Sequence, residues 1–502
     1  MSTTSGFDTI IVGGGSAGAV LAARLSENGA RRVLLLEAGP SYEPDGYPAP
    51  VRDRSLLGAF TGHDWGYQSE PGYIGHPVAA YRGKVLGGSS AVNGSCTLRA
   101  LPSDFARWTA HGLKGWSYED LLPVYKAVES TDAGDDALHG RTGPLPIKQL
   151  GRDDISAMQR AFVDAAVAHG IPFVEDFNGP GPQGVGMYPM NVNGGVRINT
   201  GMAYLTKDVR ARAELEIRAE TLVDRVVFDG SRAAGVVLAD GTELRAGEVI
   251  LSAGSYGSAA ILLRSGIGPA DDLGALGIPV VSDLPVGLRL QDHPFYYNAY
   301  AADPERIGEG LPVIGAKVWT ASSLAGAGEL DLHVTATHLF DHSTSPTGVG
   351  FVLAVGLVRP ASQGTLTLVS RDPAAAPRID LNFLAEPEDR RRMLEGIRLA
   401  RRIGATAPLS GLIGQELNPG AEADTDESIE RTMLATLDTY HHPTSTAPMG
   451  ADDDPTAVTD HLGAVRGVEA LRVVDASIFP DVPSVATNLT VIAAAEHIAR
   501  RI

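Results

Sequence analysis

The chain has 502 residues, 44% of them hydrophobic and 20% charged, with 41 Lys and Arg against 60 Asp and Glu for a formal net charge of −19. That composition belongs to a globular protein of two to four domains and excludes collagen-like, coiled-coil and disordered chains. The acidic balance, with no Lys/Arg run, argues against nucleic acid as a partner, and the single cysteine, Cys96, excludes an intrachain disulfide or a multi-cysteine metal site.

The chain opens on Met1–Asp8, which lacks the basic and apolar stretches of a signal peptide. No apolar run reaches the 18 or so residues of a membrane span, so a soluble, cytoplasmic protein is expected. Residues 8–12 are a β-branched run, followed by Gly13-Gly14-Gly15-Ser16-Ala17-Gly18, an amphipathic stretch over 19–28 and a second apolar run over 32–37. This order reads as strand, glycine turn, helix, strand, and continuous apolar strands suit a parallel sheet covered on both faces. Residues 40–85 look irregular. Helical spacing returns over 116–130, where Ser117 is the expected N-cap with Asp120 three positions on. A further helix is expected over 153–170, and a loop over 179–184. Residues 214–251 alternate and turn at Asp229-Gly230 and Asp240-Gly241, which predicts a β-meander. Helices are expected over 255–265, 386–405 and 490–501, with antiparallel strands across 295–375.

The pattern Gly13-x-Gly15-x-x-Gly18 follows a strand and opens a helix, and Glu37 ends the next strand 19 residues after Gly18. Gly13 makes the tight turn, Gly15 lets the backbone approach a pyrophosphate, and Gly18 packs helix on strand. The helix N-terminus favours anionic phosphates, and Glu37 can accept from ribose hydroxyls. A 2′-phosphate beside Glu37 would be repelled, so FAD or NAD is favoured over NADP. Gly13, Gly15, Ser16, Ala17, Gly18, Glu37 and Ala38 are therefore the first candidate cofactor contacts.

Four later blocks extend this. They are Arg82 through Gly87-Gly88-Ser89-Ser90-Ala91-Val92-Asn93-Gly94; Ala253-Gly254-Ser255 through Gln291-Asp292-His293-Pro294; Gly364 through Asp380; and His442-Pro443 through Asp475-Ala476-Ser477, Asn488 and Glu496. With the glycine turn they run in order through nearly the whole chain, which thereby resembles the glucose–methanol–choline (GMC) oxidoreductases. Ala100, Ala259, Arg289 and Ser445 depart from the family pattern. The resemblance implies a mixed α/β fold. A discontinuous Rossmann-like FAD-binding domain would cover 1–150, 188–294 and 436–502. A substrate domain built on an antiparallel sheet would cover 151–187 and 295–435. It also implies flavin contacts at Gly87, Ser89, Ser90, Asn93, Gly94, Val223, Asp475, Ala476, Asn488 and Leu489. Some family members attach the flavin to a His in the second glycine loop. Val92 stands there and has no nucleophile, so FAD is expected to bind non-covalently, and no metal is expected.

The implied activity is oxidation of a small primary or secondary alcohol to an aldehyde or ketone. The carbinol carbon gives a hydride to flavin N5, and a protein base takes the hydroxyl proton. Molecular oxygen is the favoured electron acceptor, giving hydrogen peroxide. A dehydrogenase using a quinone or other acceptor, and a flavin-bound hydroxynitrile lyase with no net redox change, are the alternatives. His441 and His442 are adjacent candidates for the base. On an extended segment they would point to opposite faces, so one alone should reach the flavin. The family pattern picks His442, which precedes Pro443. Asn488, eight residues before Glu496, matches the second catalytic position, with capping of the predicted helix just after it as the rival reading, and one residue can do both. His293 is expected to pack or hydrogen-bond, Cys96 to fill a small buried space, and His63, His76, His111 and His139 to serve surface or turn roles.

Overall fold

A computed structural model describes residues 6–502. Residues 1–5, and with them most of the Met1–Asp8 leader reading, lie outside that range. Ile10, Ile11, Leu34 and Leu35 are wholly buried, as strands covered on both faces must be. The strand Phe7–Val12 pairs in parallel with Val33–Leu36 on one side and with Glu243–Leu251 on the other. The helix Gly18–Leu25 crosses between the first two, giving the expected βαβ unit. Leu471–Val473, from the far end of the chain, adds to Glu243–Leu251 in parallel.

The reading of 214–251 as one meander needs correction. Leu215–Arg218 pairs in parallel with Val33–Leu36, at the opposite edge of the sheet from the strands that follow it. The meander proper is Val223–Asp229, Arg232–Leu238 and Glu243–Leu251. Alternation alone cannot distinguish a parallel edge strand from the first strand of a hairpin.

A second sheet is antiparallel throughout, in the order Ile413–Asn418, Pro294–Ala302, Gly350–Leu357, Leu332–Thr337, Ile314–Thr320, Gly184–Met187. The strand expected near 365–370 is Thr365–Thr367, and it pairs with Arg378–Asp380 in a separate ribbon. The helix Pro387–Gly404 covers one face of the large sheet. Gly396 lets it approach, since a Cβ there would lie 2.6 Å from Val355 Cγ1. Residues on the two faces alternate strictly. Leu332, Val334 and Ala336 enter the main core, while His333, Thr335 and Thr337 border a cavity on the other side. Among the described residues, no helix is long and apolar enough to cross a membrane.

Local signals hold where they are purely local. Ser117 Oγ accepts the Asp120 N–H at 3.2 Å and Asp120 Oδ2 accepts the Ser117 N–H at 3.0 Å, the reciprocal cap its sequence predicts. His139 departs from expectation. It is buried, with Nδ1 3.0 Å from Glu129 Oε1 and Nε2 2.8 Å from Asp176 Oδ2. Arg99 pairs with the same Glu129. Hydrogen bonds to Asp176 and then Glu129 raise the His139 pKa from 6.5 to about 9. A raised pKa means that the stability from this ion cluster is complete below pH 6.5 and fades as pH climbs through about 9. Thermal melts of His139→Gln should therefore fall below wild type at pH 6, and the gap should close near pH 10. A gap independent of pH would show that the imidazolium charge contributes nothing.

Candidate active site

Between the two sheets lies a cavity of about 1150 Å³. At one end the glycine turn enters it. Gly13 has φ +96°, and a Cβ there would lie 2.5 Å from Ser252 O, while a Cβ on Gly18 would lie 1.8 Å from Gly13 O. Both glycines are demanded by the protein's own packing. Gly15 is different: its Cβ would come no closer than 3.6 Å to a protein atom, yet the residue borders the cavity. The space it leaves open is ligand space. The helix Gly18–Leu25 begins without a side-chain cap, and although Gly15 O accepts the Ala19 N–H at 3.0 Å, the positive end of the helix is set toward the cavity that Ser16 and Ala17 border.

Glu37 is buried, with Oε2 accepting the Gly14 N–H and Oε1 the Gly39 N–H, both at 2.8 Å. Burial raises its pKa to about 7 against the pull of these donors and of Lys84. Its carboxylate therefore also ties the glycine turn to the end of the second strand. The second glycine loop crosses the first, and a Cβ on Gly88 would lie 2.6 Å from Gly15 Cα. Asp475 Oδ2 accepts from Gly254 N–H at 2.9 Å and Ser258 Oγ at 2.6 Å, and Oδ1 from Ser477 N–H at 2.9 Å. Asp475 thus shapes the turn that brings Ala476 to the cavity.

Of the sequence-derived contacts, Gly13, Gly15, Ser16, Ala17, Glu37, Ala38, Ser89, Asn93, Gly94, Val223, Asp475, Ala476 and Asn488 border the cavity. Gly18, Gly87, Ser90 and Leu489 do not. Gly18 packs on Gly13 and Gly87 faces Asn199. The Ser90 hydroxyl donates to Gly87 O at 2.6 Å, and Leu489 is a core residue.

At the other end stand the two histidines. His441 has φ +65°, so the segment is not extended there and the opposite-faces expectation fails. Both rings border the cavity. His441 lies against Tyr81, ring centroids 5.1 Å apart, and its carbonyl accepts from Arg82. The His442 N–H donates to Asp292 Oδ1 at 2.7 Å, and its Nδ1 lies 2.9 Å from His293 Nδ1. Burial, and then His293, Arg82 and His441, hold the His442 pKa well below 6.5.

Asn488 is the first residue of the helix Asn488–Ala499. Thr487 occupies the cap position with no side-chain bond, so the N-cap reading of Asn488 is replaced. Its Oδ1 accepts from Ser16 Oγ at 2.7 Å, and its Nδ2 is buried with no protein partner. An orphaned donor at that depth costs stability unless a ligand satisfies it. Together with the open space at Gly15, it fits a dinucleotide cofactor and its substrate.

Sequence reasoning missed the cavity's polar floor. Tyr188 OH lies 2.8 Å from Thr335 Oγ1, which lies 3.3 Å from Tyr440 OH. His333 Nε2 lies 3.1 Å from Lys317 Nζ, and that nitrogen sits 3.9 Å from the Trp319 ring centroid. Burial pushes the pKa values of Lys317 and His333 well down. Polar residues at alternate positions in His333-x-Thr335-x-Thr337 were the available signal. Phe295, stacked on Tyr440 at 3.9 Å, and Tyr297, Ala299 and Val352 make the walls apolar. Cys96 is not simply filler, since it also borders the cavity, its thiol pKa pushed up by burial to about 12.

Family models described as GMC oxidoreductase match residues 7–295 and 360–495. The chain is 35% identical to an oxygen-dependent choline dehydrogenase of Vibrio vulnificus, over 98% of this chain and 93% of that one. Its counterpart in Paraburkholderia phytofirmans is 37% identical, over 99% and 94%. Among solved structures, pyridoxine 4-oxidase from Mesorbium loti superposes with a TM-score of 0.89 at 33% identity, covering 99% of each chain. Aspergillus oryzae formate oxidase superposes with a TM-score of 0.89 at 26% identity, covering 100% of this chain and 98% of that one.

The two kinds of glycine should separate on substitution. Gly18→Ala should lower stability by about 1–3 kcal/mol or more through overpacking. Gly15→Ala should melt like the wild-type apoprotein yet retain little dinucleotide after gel filtration. Equal retention in Gly15→Ala and wild type would contradict the placement of a ligand against Gly15.

Proposed function

Because the chain belongs to the GMC oxidoreductase family, we propose that it oxidises a small primary or secondary alcohol to an aldehyde or ketone and passes the electrons to molecular oxygen, giving hydrogen peroxide. FAD is the cofactor, and when bound it supplies the hydride acceptor. The observation that carries the assignment of roles is the meeting of His442 and Asn488 at one cavity, where the His442 ring is tied to the protein through Nδ1 and Asn488 Nδ2 has no protein partner. Uncharged His442 takes the hydroxyl proton on Nε2. The Asn488 amide, held by Ser16, donates to the alcohol oxygen as negative charge builds on it. The apolar walls exclude water from the carbinol carbon. Val92, bordering the cavity without a nucleophile, supports non-covalent attachment. Oxygen as acceptor is supported by the oxygen-dependent choline dehydrogenases among the relatives and by the oxidases among the structural neighbours.

We assign residues 1–150, 188–294 and 436–502 to FAD binding, and 151–187 and 295–435 to the substrate. In support, the parallel strands fall in the first set and nearly all strands of the large antiparallel sheet in the second. Asp438–Thr439, which pairs with Pro294–Ala302, is the part of the first set that reaches across.

An anaerobic panel of choline, pyridoxine and benzyl alcohol tests the chemistry. At least one should bleach the flavin, and air should restore the colour with one hydrogen peroxide per turnover. Cleavage of a cyanohydrin without bleaching would make the protein a lyase. Reoxidation by a quinone orders of magnitude faster than by air would make it a dehydrogenase.

His442→Ala should keep the flavin spectrum and slow single-turnover reduction by about 10²–10⁴-fold. Asn488→Ala should cost less, without the stability loss of a removed cap. Because the His442 pKa is depressed below 6.5, the base is already uncharged at neutral pH. The reduction rate should therefore be flat from neutral to alkaline pH and fall only on acidification. A rate that rises steeply above pH 8 would mean that another group titrates.

A further inference from the structure

The segment carrying His442 is clamped by the two residues Asp292 and His293. Thr439 Oγ1 donates to Asp292 Oδ2 at 2.8 Å, Tyr440 N–H to His293 O at 2.8 Å, and His442 N–H to Asp292 Oδ1 at 2.7 Å. The remaining tie, at 2.9 Å, joins the two imidazoles through Nδ1 of each. Two ring nitrogens that close cannot both carry a proton, nor can both be bare and still bond. One must donate and the other accept.

We propose that His293 is the positioning residue of the proton acceptor: its unprotonated Nδ1 accepts from His442 Nδ1–H and so leaves the lone pair of His442 on Nε2, the nitrogen free for the alcohol. This rests on His442 being the base. The reverse arrangement, with His293 donating, would put the His442 proton on Nε2 and leave it nothing with which to take the hydroxyl proton. His293 must therefore stay uncharged, and its surroundings enforce this. It is wholly buried, Arg359 bears on it, and the Asp292 carboxylate beside it is spent on two backbone N–H groups and the Thr439 hydroxyl. Burial first, and then Arg359, bring its pKa from 6.5 to about 3. The charged or titratable groups facing His442 are His293, Arg82 and His441, and His333 lies nearby. Tyr440 packs on the His442 ring, with centroids 4.6 Å apart, and the one carboxylate in contact, Asp292, accepts the His442 backbone N–H rather than a ring nitrogen, so no anion bonds the imidazole before substrate arrives. When His442 takes the alcohol's proton on Nε2 it becomes imidazolium, and its Nδ1–H bond to His293 strengthens with that charge. No second proton moves.

The test uses holoenzyme and the panel alcohol that bleaches the wild-type flavin fastest. His293→Leu removes the acceptor. The buried His442 Nδ1 then prefers to be unprotonated, and flavin reduction should slow about 10–100-fold. In His293→Asn, Oδ1 stands where Nδ1 stood and accepts in its place, so most of the lost rate should return. His293→Asp accepts too but adds a negative charge. The acidic limb of its rate profile should move up by about one pH unit or more, as an opposite charge at this distance demands. A role in packing alone would not move that limb. Independently of turnover, carbethoxylation of His442 by diethyl pyrocarbonate, mapped by peptide mass spectrometry, should slow in His293→Leu and recover in His293→Asn. Equal loss in the Leu and Asn variants, or a Leu variant near wild type, overturns the assignment while leaving His442 in place. A His442→Ala variant within a few-fold of wild type refutes the base itself, a distinguishable failure.

Discussion

Gly88 lies against Gly15 so closely that a Cβ on it would fall 2.6 Å from the Gly15 Cα, and the geometry of the cofactor end follows from that crossing. Two loops separated by more than 70 residues can meet backbone to backbone only if neither places a side chain between them. The Gly14 N–H is taken by Glu37 and the Gly13 N–H by Leu36 O, so the turn is pinned to the second strand. Ser16 reaches from the same turn to Asn488, near the other end of the chain. The first and last helices are thereby brought to one cavity, and Arg24 completes the tie with a bidentate contact to the buried Glu496.

The substrate end follows a different logic. Its walls are apolar and its floor is a run of buried polar groups that pair with one another, Tyr188 with Thr335, His333 with Lys317 and His293 with His442, although His333 Nδ1 and His293 Nε2 keep no partner. Burying such groups is costly unless they are paired. Among the described residues no carboxylate lies within ion-pair distance of Lys317, whose amine group has His333 Nε2 at 3.1 Å and the rings of Trp319, Phe177 and Tyr188 around it. Burial therefore favours the uncharged forms of Lys317, His333 and His442. The sheet's period of two makes this possible, since one set of alternate residues can be polar toward the cavity while the other stays apolar toward the helix Pro387–Gly404.

The sequence by itself determined the features whose causes are local. The βαβ unit with its glycine turn was legible because strand, turn and helix each carry their own signal within about 30 residues. The cap at Ser117 was legible because both partners lie within one helical turn. His442 and Asn488 were singled out by ordered blocks that resemble a known family, and both border the cavity. What tertiary structure alone decided were contacts between distant segments. Leu215–Arg218 left the meander because hydrogen bonds to Val33–Leu36 were available at the sheet edge. His139 became buried because Glu129, in the short strand Glu129–Ser130, and Asp176 converge on it from separate segments. His441 turned toward the cavity through a positive φ that no residue pattern announced. His293 meets His442 across 149 positions of sequence. Whether two such rings touch depends on the register of Pro294–Ala302 against Asp438–Thr439, where a shift of one residue would turn each side chain to the opposite face. Residue type and spacing along the chain do not encode that register, and packing does.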